Sequence, residues 1–262
     1  MSKRKNSSRF LDYLNNAPSS NNLMSLAHTT DGWVFEEALV HGAGQLEPTE
    51  CKFLGGKVLY FFYGRPSYRP NFLIDNTAQE AFHSVCFLFD PRSISEIHKI
   101  FPFDTGAFVS ERYCDHLHPG MKLEHFEMGS DLRSAQSLVD KFFGSNSEYF
   151  LGKVRSDFET VGAPQTAKAY HSLVSSKGVS LTDSRRSSVE IQIRERVDLK
   201  TARVMAVILP EAMLDDEETK SFIEEELSAE AIGYLCIHAS PREDMALIMS
   251  AARDFYVRKG LI

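Results

Sequence analysis

Long hydrophobic runs are missing from this 262-residue chain, and no apolar stretch approaches the roughly twenty residues that a bilayer-spanning helix needs. Cysteine is scarce too. Cys51, Cys86, Cys114 and Cys236 are dispersed and include no Cys-x-x-Cys pair, which argues against a disulfide framework and makes reduced thiols the expectation. The polar stretch Met1 to Ser8 has no apolar signal core behind it. These shortages point to a soluble, cytoplasmic protein with no membrane partner. Positive charge is also in deficit, with 29 Lys and Arg against 36 Asp and Glu, a formal net charge of −7. That balance gives no general attraction to phosphate backbones, so a nucleic-acid partner would need a local basic groove.

The chain is rich in core-forming residues: a hydrophobic content of 43% over this length buries a substantial interior without metal or disulfide staples. Residues 2–9 are basic and serine-rich, and residues 15–22 are polar. Residues 1–22 therefore read as a flexible segment around a helical turn at Phe10 to Leu14. Residues 23–262 read as one α+β domain, in which residues 75–183 have room to contain a helical insertion.

Periodicity supplies the elements. Leu23 to His28 reads as a strand, followed by a helix from Thr30-Asp31-Gly32 carrying Val34, Phe35, Ala38 and Leu39. Lys57 to Tyr63 and Ser84 to Phe89 are aromatic and β-branched runs of strand length, both suited to the inside of a sheet. Ile94, Ile97 and Ile100 have helical spacing, as have Leu132 to Phe143 and Thr166 to Ser175. Ser187 to Val197 alternates, with Val189, Ile191 and Ile193 on one face and Ser188, Glu190, Gln192 and Arg194 on the other. On alternation alone, Glu190 is a solvent-facing neighbour of Gln192. Arg203 to Leu209 and Tyr234 to His238 read as further strands, and Asp215 to Leu227 and Pro241 to Val257 as helices. A mixed β-sheet flanked by helices follows.

Three segments carry chemistry. Leu59 to Arg69 runs from an apolar strand into Gly64-Arg65-Pro66-Ser67-Tyr68-Arg69, where guanidinium groups beside tyrosine faces suit a phosphate-bearing aromatic ligand. His28-Thr29-Thr30 ends an earlier strand, and Glu190 sits on a late one. Taken singly, each has an ordinary explanation in core packing, a surface turn or a solvated strand face. Cys114, His116 and His118 could offer sulfur and imidazole to zinc, with His98 or His125 as a fourth ligand, but His116-Leu117-His118-Pro119-Gly120 is more economically a polar loop.

In this order the segments resemble the ADP-ribosyltransferase superfamily, and the second and third look most like the DarT group that modifies DNA. The resemblance implies a split mixed sheet and NAD as co-substrate, with no metal. It implies that His28 bonds the adenine-side ribose and Thr30 helps hold the nicotinamide half, with Tyr63 stacking near nicotinamide. Arg65 and Arg69 compete for the arginine that contacts pyrophosphate or positions the acceptor, and Glu190 carries the chemistry. The acceptor would be a nucleic-acid base or a protein side chain, in a toxin or phage-defence setting. An NAD glycohydrolase, and a non-catalytic binding or immunity protein presenting Arg65, Tyr68 and Arg69, are the alternatives.

Overall fold

The computed structural model describes residues 8–16, 20–52, 55–67, 77–176, 185–236, 240–241 and 243–262. Its strands are β1 (Leu26–Asp31), β2 (Gln45–Leu46), β3 (Thr49–Glu50), β4 (Lys57–Tyr63), β5 (Ser84–Phe89), β6 (Ile97–Phe101), β7 (Glu190–Ile193), β8 (Val197–Asp198), β9 (Val204–Pro210) and β10 (Glu230–Tyr234). The helices are α1 (Arg9–Asn15), α2 (Gly32–Val34), α3 (Thr105–Val109), α4 (Leu132–Phe142), α5 (Asn146–Phe150), α6 (Gln165–Ser175), α7 (Glu217–Ser221) and α8 (Asp244–Lys259). The chain divides into two compact units. The first comprises Met1–Leu23 and Ile97–Gln192, the second Met24–Glu96 and Ile193–Ile262.

The second unit is built on a sheet of order β10-β9-β5-β1-β4, with β3 also paired to β4. β10 runs parallel to β9, while β9, β5, β1 and β4 pair antiparallel, so the sheet is mixed. β5 is buried along its whole length, as expected for an unbroken apolar run with covered faces. On one face the rings of Phe61 and Phe89 lie 5.4 Å apart and those of Phe87 and Phe89 6.1 Å apart. Phe35, from the π-helical turn Phe35–Val40 that continues α2, covers Phe87 at 5.9 Å. Each such ring contributes roughly 1.5–3 kcal/mol by leaving water. Tyr256 of α8 shares a hydrogen bond with Ser25, which puts α8 on the opposite face, where Ala27 and Thr29 also point.

The first unit is mainly helical. α4 buries Leu132, Ala135, Leu138, Val139 and Phe142 at intervals of three and four, the stripe expected from its sequence. α1 is anchored rather than loose: Ser8 Oγ accepts from Leu11 N–H, and the buried Phe10 ring lies 5.7 Å from both Phe126 and Tyr170. The helical turn expected at Phe10 to Leu14 is this helix. β6 and β7 are neighbours in this unit.

Two expectations change. The segment around Ile94, Ile97 and Ile100 forms strand β6 instead of a helix, because Asp90-Pro91 closes a short 3-10 turn at Pro91–Ser93 and the β-branched remainder finds strand partners. The late strand occupies Glu230–Tyr234, where it pairs in parallel register with β9 from Glu230↔Ala206 onward; residues 237–239 lie outside the described set. β5 lies between β9 and β1, the inner position expected of Ser84 to Phe89. Among the described residues, no helix is long and apolar enough to cross a membrane.

Candidate functional site

In the second unit, His28 and Thr30 share one face of β1, since strand side chains alternate. His28 Nδ1 lies 2.8 Å from the Tyr60 carbonyl oxygen, and its ring is 5.2 Å from Phe61. A carbonyl can only accept, so Nδ1 carries the proton. Burial lowers the pKa of His28 to about 4, against the opposing pull of the Tyr60 hydrogen bond. At neutral pH the imidazole is therefore uncharged, and its Nε2 lone pair can accept from a hydroxyl.

β4 ends in a tight reversal. Gly64 has φ +67°, its N–H donates to the Ser25 carbonyl at 2.8 Å, and an added Cβ would lie 2.5 Å from Met24 Sδ. Only glycine meets both demands. Tyr63 is fully buried and its hydroxyl accepts from Met24 N–H at 3.0 Å. Its ring is part of the core, and the face expected to stack on nicotinamide is closed. Arg65, 6% exposed, is likewise inside rather than on a surface turn. Arg69 and Tyr68 lie outside the described residues.

In the first unit, Glu190 opens β7 and is 2% exposed. Its polar strand face is buried, which overturns the solvent-facing position suggested by alternation. Thr105 N–H donates to Oε2 at 2.9 Å, Thr105 Oγ1 to Oε1 at 2.8 Å, and Gln192 Nε2 to Oε1 at 2.7 Å. The adjacency of Glu190 and Gln192 on one face is as expected from the strand period. Burial drives the Glu190 pKa up to about 7; the Gln192 hydrogen bond opposes this, the nearby Asp104 charge adds to it, and the Thr105 bonds oppose it. Loss of hydration outweighs three neutral donors. The result is a fixed carboxyl group that changes charge near neutrality, a property concentrated at functional sites.

Thr105 was missed as a partner. Its turn, Phe101-Pro102-Phe103-Asp104-Thr105-Gly106, is recognisable from sequence, but nothing local says that its hydroxyl meets a strand residue 85 positions later.

The Cys114 stretch is a turn-rich loop, as the economical reading had it. Cys114 is exposed, His116 Nδ1 lies 3.1 Å from Ser172 Oγ, and His118 Nδ1 accepts from Gly120 N–H at 3.0 Å. A wide groove of about 1520 Å³ in the first unit is lined by His98, His118, Glu124, His125 and Glu127, among others, but not by Glu190 or Thr105. Its size exceeds what one small ligand fills.

A second polar cluster lies in the second unit. His83 Nδ1 is 3.0 Å from Asp244 Oδ1 and 3.6 Å from Cys236 Sγ, and His83 Nε2 is 3.1 Å from the Thr77 carbonyl oxygen. Among the described residues, this is the group of His, Cys and acidic side chains close enough together to hold a metal ion.

No family model matches this chain, and neither a curated protein nor a solved structure matches it.

Proposed function

We propose that this chain is an NAD-dependent ADP-ribosyltransferase in which Glu190 is the carboxylate that acts at the nicotinamide-bearing ribose. The observation that carries the reading is the buried Glu190 group, positioned by Thr105 and Gln192 and ionising near pH 7. When the bond from ribose to nicotinamide breaks, its electron pair leaves with the pyridinium nitrogen and positive charge develops on the sugar. A preorganised carboxylate stabilises that charge and accepts a ribose hydroxyl hydrogen bond. The acceptor's lone pair then bonds to the sugar carbon, and its proton passes to Glu190 or to water. In the same reading, neutral His28 accepts from the adenine-side ribose through Nε2, and Thr30 on the same strand face holds the nicotinamide half. Arg65 or Arg69 meets the pyrophosphate, and a nucleic-acid base or protein side chain receives the ADP-ribose. With water as acceptor, the same chemistry is NAD hydrolysis.

Glu190 is closed to solvent, so the reading requires the Asp104–Thr105 turn to move aside when the sugar enters. That same closure favours a second reading, in which Glu190 is a structural pin between β7 and the turn and the chain binds a partner without turnover. Incubating the protein with NAD labelled in the ADP-ribose moiety separates the two. Transfer of label to macromolecule supports transferase action, and release of free ADP-ribose supports hydrolysis. Label left in intact NAD, with no rise in melting temperature under excess NAD, removes the proposal.

A further inference from the structure

We infer that His83, Cys236 and Asp244 form a binding site for a divalent, borderline-soft metal ion of the zinc type, with water completing a four-coordinate shell. The inference is independent of the ADP-ribosyltransferase reading, whose sequence basis called for no metal. It begins with the number of bonding directions at one nitrogen. His83 Nε2 lies 3.1 Å from a carbonyl, which can only accept, so Nε2 carries a proton. Nδ1 has a single in-plane lone pair or proton to offer. Yet Asp244 Oδ1 and Cys236 Sγ both converge on it, at 3.0 and 3.6 Å. Without an ion, Nδ1 can donate to the carboxylate or accept from the thiol, but not both.

A cation placed among the three atoms removes the conflict. With a metal–nitrogen bond of about 2.0 Å and a metal–sulfur bond of about 2.3 Å, tetrahedral angles separate N from S by about 3.5 Å and N from O by about 3.3 Å. The observed 3.6 and 3.0 Å lie within a few tenths of an ångström of those edges, and all three donor atoms lie within 4.8 Å of one another.

The outer contacts already orient each ligand. The Thr77 carbonyl selects the imidazole tautomer that leaves Nδ1 for the metal, and Ser84 N–H holds Asp244 Oδ2 at 2.7 Å. Tyr234, two residues before Cys236, donates to the Ser84 carbonyl at 2.8 Å and so fixes the approach of that strand end. The charges suit the site as well. A thiolate and a carboxylate together neutralise a dication, so the buried complex carries no net charge and avoids the cost of an unpaired ion. His83 and Asp244 are buried while Cys236 is partly open. The ion would join the start of β5, the segment after β10 and the first turn of α8.

The test uses the full chain, stripped with a chelator and then titrated with zinc or cobalt. We expect about one zinc per chain by elemental analysis, a thiolate-to-cobalt charge-transfer band, and a melting temperature that rises with zinc and falls when chelator is returned. Cys236→Ser, checked for native circular dichroism, should abolish the charge-transfer band and weaken zinc binding roughly 100-fold or more. Cys114→Ser should leave both unchanged. Zinc-free protein with no melting shift and no cobalt band overturns the site in favour of a bare His83–Asp244 ion pair. Retention of the band in Cys236→Ser overturns it equally.

Discussion

Two buried carboxylates, one in each unit, meet the same loss of water with different partners. Glu190 is surrounded by neutral donors: an amide N–H, a hydroxyl and a carboxamide. Asp244 faces the imidazole of His83 and the Ser84 amide. Burial raises the pKa of both groups, and for Asp244 the His83 hydrogen bond and charge work against the rise. Neutral donors fix where a carboxylate sits without forcing it to ionise, which suits a group that must change state during a reaction. An imidazole supplies a switchable positive charge or a metal-binding lone pair, which suits a group that holds elements together.

The largest test of this contrast is Glu190→Gln. It preserves shape and one hydrogen-bonding oxygen but removes the charge, so NAD turnover should fall about 1,000-fold or more, measured with labelled NAD. Unchanged turnover would make Glu190 a structural residue like its counterpart. Next is Asp244→Asn in the metal-free protein, which leaves His83 buried beside a neutral amide and should cost about 3 kcal/mol in urea unfolding. A loss below ~1 kcal/mol would mean that the pair contributes no clamp.

The third test is pH. The folded pKa of Glu190, about 7, lies above its ordinary 4.5. Folded protein therefore binds the proton more tightly, and the stability this confers is present in full below about pH 4.5 and is lost as pH rises through 7. Relative to Glu190→Gln, the wild type should lose about 2–3 kcal/mol between pH 5 and pH 8. Two parallel stability profiles would contradict the assigned ionisation. The smallest effect is expected from Thr105→Val, which deletes one donor to Oε1 while keeping the backbone N–H. It should cost about 1 kcal/mol and push the ionisation of Glu190 to still higher pH, visible as an alkaline displacement of the turnover profile.

Much of the architecture could be read locally. β4 and β5 match their apolar runs residue for residue, and α4 and α6 follow their stripes to within a residue or so. β6 could not be read this way, because isoleucines three apart satisfy a helical spacing while the partners that make the segment a strand lie elsewhere in the chain. The site divides similarly. Alternation along β7 set Glu190 beside Gln192, yet it assigned that face to water, since a strand's period says which residues share a side and nothing about what covers it. The burial of Tyr63 was legible from its inner strand, whereas that of Arg65, expected on a ligand-facing or surface turn, was not.

By itself the amino-acid order determined the strands and helices with strong periodicity, the pairing of Glu190 with Gln192 along one strand face, and a glycine-dependent reversal after β4. Tertiary structure alone decided that Thr105 closes over Glu190 and that His83 meets Cys236 and Asp244, 153 and 161 positions away. The physical reason is range. Backbone preference and side-chain alternation act over a few neighbouring residues, whereas desolvation and convergent lone pairs depend on which distant segments the fold brings into contact.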